Sequence, residues 1–138
     1  MEFISTRKDA TRAHVTSDIV LAGDWAFLSG VLPIDLENDR VPLPEMVEAQ
    51  TLKVLRNAET LLKRVGLDRE NLVQIRIALV NFPKFHQRVA EAYSSFFPAD
   101  RLPARSCVGV SYLTRGALVE MDFVAYRNPA PSGERLQP

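Results

Sequence analysis

Leu102-Pro103-Ala104-Arg105-Ser106-Cys107-Val108, followed by Leu118-Val119-Glu120-Met121-Asp122, is the stretch on which the fold turns. It reads as two apolar strands, about 106–113 and 117–126, joined by a tight Thr114-Arg115-Gly116 turn. One arginine stands at the mouth of the first strand and one glutamate lies inside the next. An arginine presents a rigid fork of N–H donors that matches a carboxylate in two-point contact. A carboxylate on a neighbouring strand can orient or activate a water. The pair therefore suggests a pocket that grips a small organic acid beside a hydrolytic group. The same spacing also fits a structural Arg–Glu ion pair.

Upstream, Ile19–Ala22 and Trp25–Leu28 flank Gly23-Asp24 and read as two strands joined by a short turn, the second ending at Ser29-Gly30. A polar loop from Pro33 leads through Pro42 and Pro44 to a helix over 45–65. Its stripe is Val47, Leu55, Ala58, Leu62 and Val65, with Thr51 in the gap. Lys63 and Arg64 suit its last turn and Gly66 its left-handed stop. Val73, Ile75, Ile77 and Leu79 then alternate with Gln74, Arg76, Ala78 and Val80, as one-sided strands do. Pro83 opens a second helix with the stripe Phe85, Val89, Tyr93 and Phe96, and Pro98 ends it. The order is two or three strands, helix, strand, helix, two strands. Both helices have one apolar stripe and can lie side by side on one face of a single sheet, an α+β fold.

The other sheet face mixes apolar Leu118 and Val124 with charged Glu120 and Asp122. That suits neither plain solvent nor a core, and it predicts an oligomer with its site at subunit contacts. The 138 residues, 46% of them hydrophobic, fit one domain over 1–127, with a flexible, proline-rich tail over 128–138. Seventeen basic and 17 acidic residues balance, so no positive excess drives nucleic-acid binding. No apolar run reaches membrane-spanning length and nothing reads as a signal peptide. A single cysteine, Cys107, excludes an internal disulfide and makes the cytoplasm the expected compartment.

The motifs Ser29-Gly30-x-x-Pro33, Gln50…Asn57-x-x-x-Leu61-Leu62-x-x-x-Gly66, Tyr93-x-x-Phe96-Phe97, Pro103-Ala104-Arg105-Ser106-Cys107 and Val119-Glu120 resemble the Rid family, the YjgF-like enamine/imine deaminases long labelled endoribonuclease or translation inhibitor. The resemblance runs from about Gly23 to Tyr126. It implies a chorismate-mutase-like α+β fold, a single mixed sheet with two helices on one face, assembled as a homotrimer with sites in the clefts between subunits. It also implies hydrolysis of reactive imines and enamines of small acids to 2-keto acids and ammonia, without metal or organic cofactor. Carried over by position, Arg105 binds the substrate carboxylate, the main chain at Cys107 helps hold the substrate, Glu120 positions the attacking water, and Ser29 faces the cleft.

There are departures. The family's Gly-Pro-Tyr is replaced by Ala13-His14-Val15-Thr16, with His14 or Thr16 at the tyrosine position. The glutamine after Ser-Gly is Val31, and the asparagine three residues before the helix tyrosine is Ala90. These changes imply a more apolar substrate slot. Cys107 has no histidine beside it in sequence and reads as a small hydrophobe rather than a nucleophile. His14 and His86 lack metal-ligand spacing, with His86 expected on the outside of the second helix. Trp25 reads as core or subunit contact. The alternatives to a hydrolase are a non-catalytic small-acid-binding or regulatory protein on the same scaffold and, more remotely, an endoribonuclease.

Overall fold

The strand that carries Glu120 lies inside the sheet, not at its edge. In the computed structural model, which describes residues 1–5 and 15–128, six strands stand side by side. In chain order they are β1 (Glu2–Ile4), β2 (Ile19–Ala22), β3 (Trp25–Val31), β4 (Leu72–Val80), β5 (Ala104–Val110) and β6 (Val119–Tyr126). Their spatial order is β1-β2-β3-β6-β4-β5. Only β4 and β5 run parallel, as strands linked through a helix do; every other neighbouring pair is antiparallel. The result is one mixed sheet with two helices, as the sequence predicts.

The expected hairpin over Thr114–Gly116 does not form. The chain leaves β5, makes a 3-10 turn at Thr114–Gly116 and inserts β6 between β3 and β4. The burial patterns give the reason. Val119, Met121, Phe123 and Ala125 are all buried, so β6 carries a complete core stripe, and an inner position pairs its backbone on both sides. No residue of β5 is fully buried, and it takes the edge. That strand begins at Ala104, two residues before the expected start, and Arg105 is its second residue, at the mouth as the sequence suggests. A second correction concerns β3, which does not stop at Ser29-Gly30 but continues to Val31, with a bulge between Leu28 and Val31.

Helix α1 (Val47–Lys63) buries Val47, Val54, Leu55, Ala58, Leu61 and Leu62. Thr51, buried in that stripe, donates its hydroxyl to the Val47 carbonyl at 2.7 Å, which makes a polar side chain tolerable there. Helix α2 (Phe82–Phe96) has Pro83 in its first turn and buries Val89, Ala92, Tyr93 and Phe96. Both helices cover the face of the sheet formed by Ile75, Ile77, Leu79, Met121 and Phe123. An Arg88–Glu48 ion pair ties α2 to α1.

Two buried polar residues of α1 pin the loops that flank the site. Asn57 donates its amide to the carbonyls of Leu32 (3.0 Å) and Ile34 (2.7 Å), fixing the chain after β3. Gln50 donates to Pro44 O at 2.7 Å and accepts from Leu118 N at 2.8 Å, fixing the chain just before β6. The tail from Pro129 and the His14 position lie outside the described residues.

Candidate active site

Glu120 points away from the helices. It pairs with Ala78 across β4, and Asp122 pairs with Arg76, while the alternate residues Ile77 and Leu79 lie beneath the helices. Directly opposed residues share a face, so Glu120, Asp122, Arg76 and Ala78 occupy the uncovered side. With Ser106 and Val108 they line an open hollow of about 460 Å³. Asp122 is held by Arg76 at 2.7 Å. Burial raises the Glu120 carboxyl above its ordinary range, and the nearby Asp122 charge pushes the same way.

The close neighbour of Glu120 is a glycine. A Cβ on Gly30 would come to 2.9 Å from the Glu120 carboxyl carbon and closer still to Oε1. Only a residue without a side chain lets that carboxylate lie against β3. Ser29, beside it, donates its hydroxyl to the Ser17 carbonyl at 2.6 Å, and its amide donates to Asp18 O at 3.0 Å. In this chain Ser29 therefore anchors the segment leading into β2, close to the Glu120 end of β3.

Arg105 and Cys107 lie on the opposite face. They pair in register with Ile75 and Ile77 of β4, both buried beneath the helices. Arg105 places its guanidinium carbon 4.9 Å from the centroid of the Tyr93 ring on α2. Cys107 is half-buried, and burial pushes its thiol upward against a smaller opposing pull from Arg105. It is thus a protonated thiol at neutral pH, in keeping with its reading as a small hydrophobe.

The expected placement of Arg105 and Glu120 on neighbouring strands is corrected here. Strand β4 separates them, by two strand spacings or about 10 Å across the sheet. They also face opposite sides, so within one chain they form no ion pair and cannot both touch one small molecule. The cause is the insertion of β6 between β3 and β4, a long-range pairing that local spacing does not encode.

Other expectations resolve individually. Val31 is buried in the core. Ala90 is half-buried on α2, while Thr16 is exposed. His86 is not on the outside of its helix but half-buried, stacked on Phe82 with ring centroids 4.5 Å apart. Trp25 is not core: it is 43% exposed, packed on Tyr126 on the uncovered face. On that face the register aligns Phe3, Val20, Phe27 and Val124 in one apolar row across four strands. Tyr93, read in the sequence as a stripe and motif residue, and Gly30, read as a strand end and motif residue, prove to be the direct neighbours of Arg105 and Glu120. A glycine inside an apolar strand was the available signal for the second.

A family profile described as Endoribonuclease L-PSP matches residues 7–127. The chain belongs to that family. A RutC family protein of Pyrococcus abyssi is 30% identical over 126 residues, 91% of this chain and 97% of its own. The Reactive Intermediate Deaminase A, chloroplastic, of Arabidopsis thaliana is 36% identical over 124 residues, 90% of this chain and 65% of its own. A solved structure of a Rid family protein from Yersinia pestis superposes with a TM-score of 0.80 at 28% identity, covering 91% of this chain and 98% of that one. The L-PSP family is thus the one the sequence motifs resemble, and its Rid members share this six-stranded, two-helix architecture. Among the described residues of this family member no helix is long and apolar enough to cross a membrane. Nor do three His, Cys, Asp or Glu side chains gather as a metal site there.

Proposed function

We propose that this L-PSP family member is a cofactor-independent hydrolytic deaminase of imine and enamine derivatives of small organic acids. Its site would be completed between two copies of the chain, in a homotrimer. One copy contributes Arg105 and the Cys107 main chain, and the next contributes Glu120 with Ser29 behind it. The observation that carries the reading is the placement of Arg105 and Glu120 on opposite faces of one sheet. Neither has a charge partner of opposite sign among the described residues. Each is half of a site. The apolar row Phe3–Val20–Phe27–Val124 and the exposed Val108 give the uncovered face the surface that a second copy would bury. The Arabidopsis relative, named a reactive intermediate deaminase, supports the chemistry.

The residues suit the reaction in order. Arg105 grips the substrate carboxylate and so fixes the adjacent imine carbon, which is already electrophilic. Glu120 accepts a proton from water as the water oxygen bonds to that carbon. Glu120 passes that proton to the imine nitrogen, giving an amino alcohol. Its hydroxyl proton is then transferred to the nitrogen as the C–N bond breaks and the C=O bond forms, so that ammonia leaves and the 2-keto acid remains. A carboxyl held above the ordinary range is a stronger base once ionised than a solvated one, which fits this role.

Mixing two inactive variants tests both the chemistry and the assembly. Arg105→Gln and Glu120→Gln chains, each without imine-hydrolase activity alone, are unfolded together and refolded into mixed oligomers. Sites that combine the intact Glu120 of one variant with the intact Arg105 of the other should recover a substantial fraction of wild-type activity. No recovery, with mixed oligomers demonstrated by mass spectrometry, would overturn the shared site. Absence of acceleration by wild-type protein on any imine would overturn the deaminase reading.

A further inference from the structure

Arg105 is the group on which the proposed grip depends, yet among the described residues no carboxylate or carbonyl holds it. It is exposed on an edge strand, and a long, flexible side chain there would sample many orientations. What it does meet is a flat, buried ring. Its guanidinium carbon stands 4.9 Å from the centroid of the Tyr93 ring. Tyr93 is only 3% exposed and packs against Phe97 with ring centroids 5.1 Å apart.

The spacing between α2 and β5 is fixed at the far end as well. A Cβ on Gly109 would come within 3.1 Å of the Phe82 Cβ, so helix and strand are already in close contact there. The Tyr93 ring thus meets Arg105 on a rigid platform.

A cation over an aromatic face is held by the ring's quadrupole. A guanidinium carries five N–H donors in its own plane, and attraction to a ring face uses the cation's charge and none of those donors. The contact with Tyr93 therefore leaves the donors of Arg105 available to a carboxylate. An ion pair would have fixed the same side chain by consuming those donors. The Tyr93 hydroxyl takes no part, since it is buried with no hydrogen-bond partner.

We propose that Tyr93 is a positioning residue, whose ring face holds the Arg105 guanidinium in the orientation that accepts a substrate carboxylate in two-point contact. This rests on the reading of Arg105 as the carboxylate grip, and it adds a residue that acts only through Arg105.

Binding of 2-oxobutanoate and of its neutral carboxamide is measured by calorimetry for wild type, Arg105→Lys, Tyr93→Leu and Tyr93→Phe. Tyr93→Leu keeps most of the bulk and loses the π face, so affinity for the acid should fall about three- to tenfold. Affinity for the amide should change little, because a neutral group gains less from the fork. Tyr93→Phe retains the ring and should restore most of the acid affinity. Arginine-labelled wild-type protein should show Arg105 side-chain resonances shifted upfield by the ring current, a readout that does not require the leucine variant to fold. Wild-type affinity in Tyr93→Leu, equal loss for acid and amide, or unshifted Arg105 resonances would each overturn the assignment. Failure of wild type to bind the acid, or full affinity in Arg105→Lys, would instead overturn the reading of Arg105 itself.

Discussion

Gly30 of β3 and Glu120 of β6 fit together as socket and side chain: the space a Cβ would fill at Gly30 is taken by the Glu120 carboxylate. The bulge between Leu28 and Val31 brings this glycine opposite the β6 carboxylate, and the Ser29 hydrogen bond to Ser17 holds the segment in place. A backbone irregularity in one strand thereby sets the aim of a functional group in the next.

Gly30→Ala should consequently push the carboxylate out of its socket while leaving Arg105, on the other face, untouched. We expect kcat for imine hydrolysis to fall at least about tenfold, part of the roughly hundredfold or more that a general base contributes. Calorimetric affinity for a 2-keto acid should stay within about twofold of wild type. Retained kcat would show that Glu120 does not act from the position it occupies against β3.

How much of this was legible in the sequence depends on the range of the interaction. The stripes Val47–Leu62 and Phe85–Phe96 and the alternation Ile75–Ile77–Leu79 report local burial, and they place both helices and β4 on their correct faces. Pairing partners are not local. Thr114-Arg115-Gly116 looks like a hairpin turn, yet β6 gains more from two inner ladders than from one with β5, so the site divides between two faces. Val31 reads as a lost pocket group and is core, because the bulge shifts the alternation of β3 by one residue. Asn57 and Gln50 read as family letters, and their work, pinning the loops before and after the site, shows only in three dimensions.

The pH dependence should follow the Glu120 environment. Its carboxyl is raised from 4.5, first by burial and then by Asp122. The ionised form is the base, so the acidic limb of the kcat profile should lie above the pH of an ordinary glutamate. Asp122→Asn removes the repelling charge and frees Arg76, and both changes favour the ionised form. That limb should therefore move to lower pH. The linkage sign agrees. A raised carboxyl pKa means that the fold disfavours the ionised form, a loss absent below 4.5 and complete above the raised value. Glu120→Gln should accordingly raise the thermal midpoint at pH 7 and leave it nearly unchanged at pH 4. An Asp122→Asn profile that moves upward would exclude this electrostatic account.

Cys107 provides a chemical probe of the Arg105 side of the sheet. Burial raises its thiol from 9.0 and Arg105 opposes that rise, so at pH 7.5 only a small fraction is thiolate. Alkylation by iodoacetamide should then be slower than that of a free cysteine under the same conditions, since the thiolate is the reacting form. Arg105→Gln removes the opposing charge, raises the thiol further and should slow alkylation again, even though the shorter side chain opens access to the sulphur. Steric shielding alone predicts the reverse, a faster reaction in the variant. Rates measured across pH 7 to 10 separate the two, because the electrostatic effect displaces the titration midpoint upward while relief of crowding changes only the limiting rate at high pH. A faster reaction in Arg105→Gln with an unmoved midpoint would mean that the Arg105 charge does not act on Cys107. It would also remove the electrostatic link between the guanidinium and the strand segment proposed to hold the substrate.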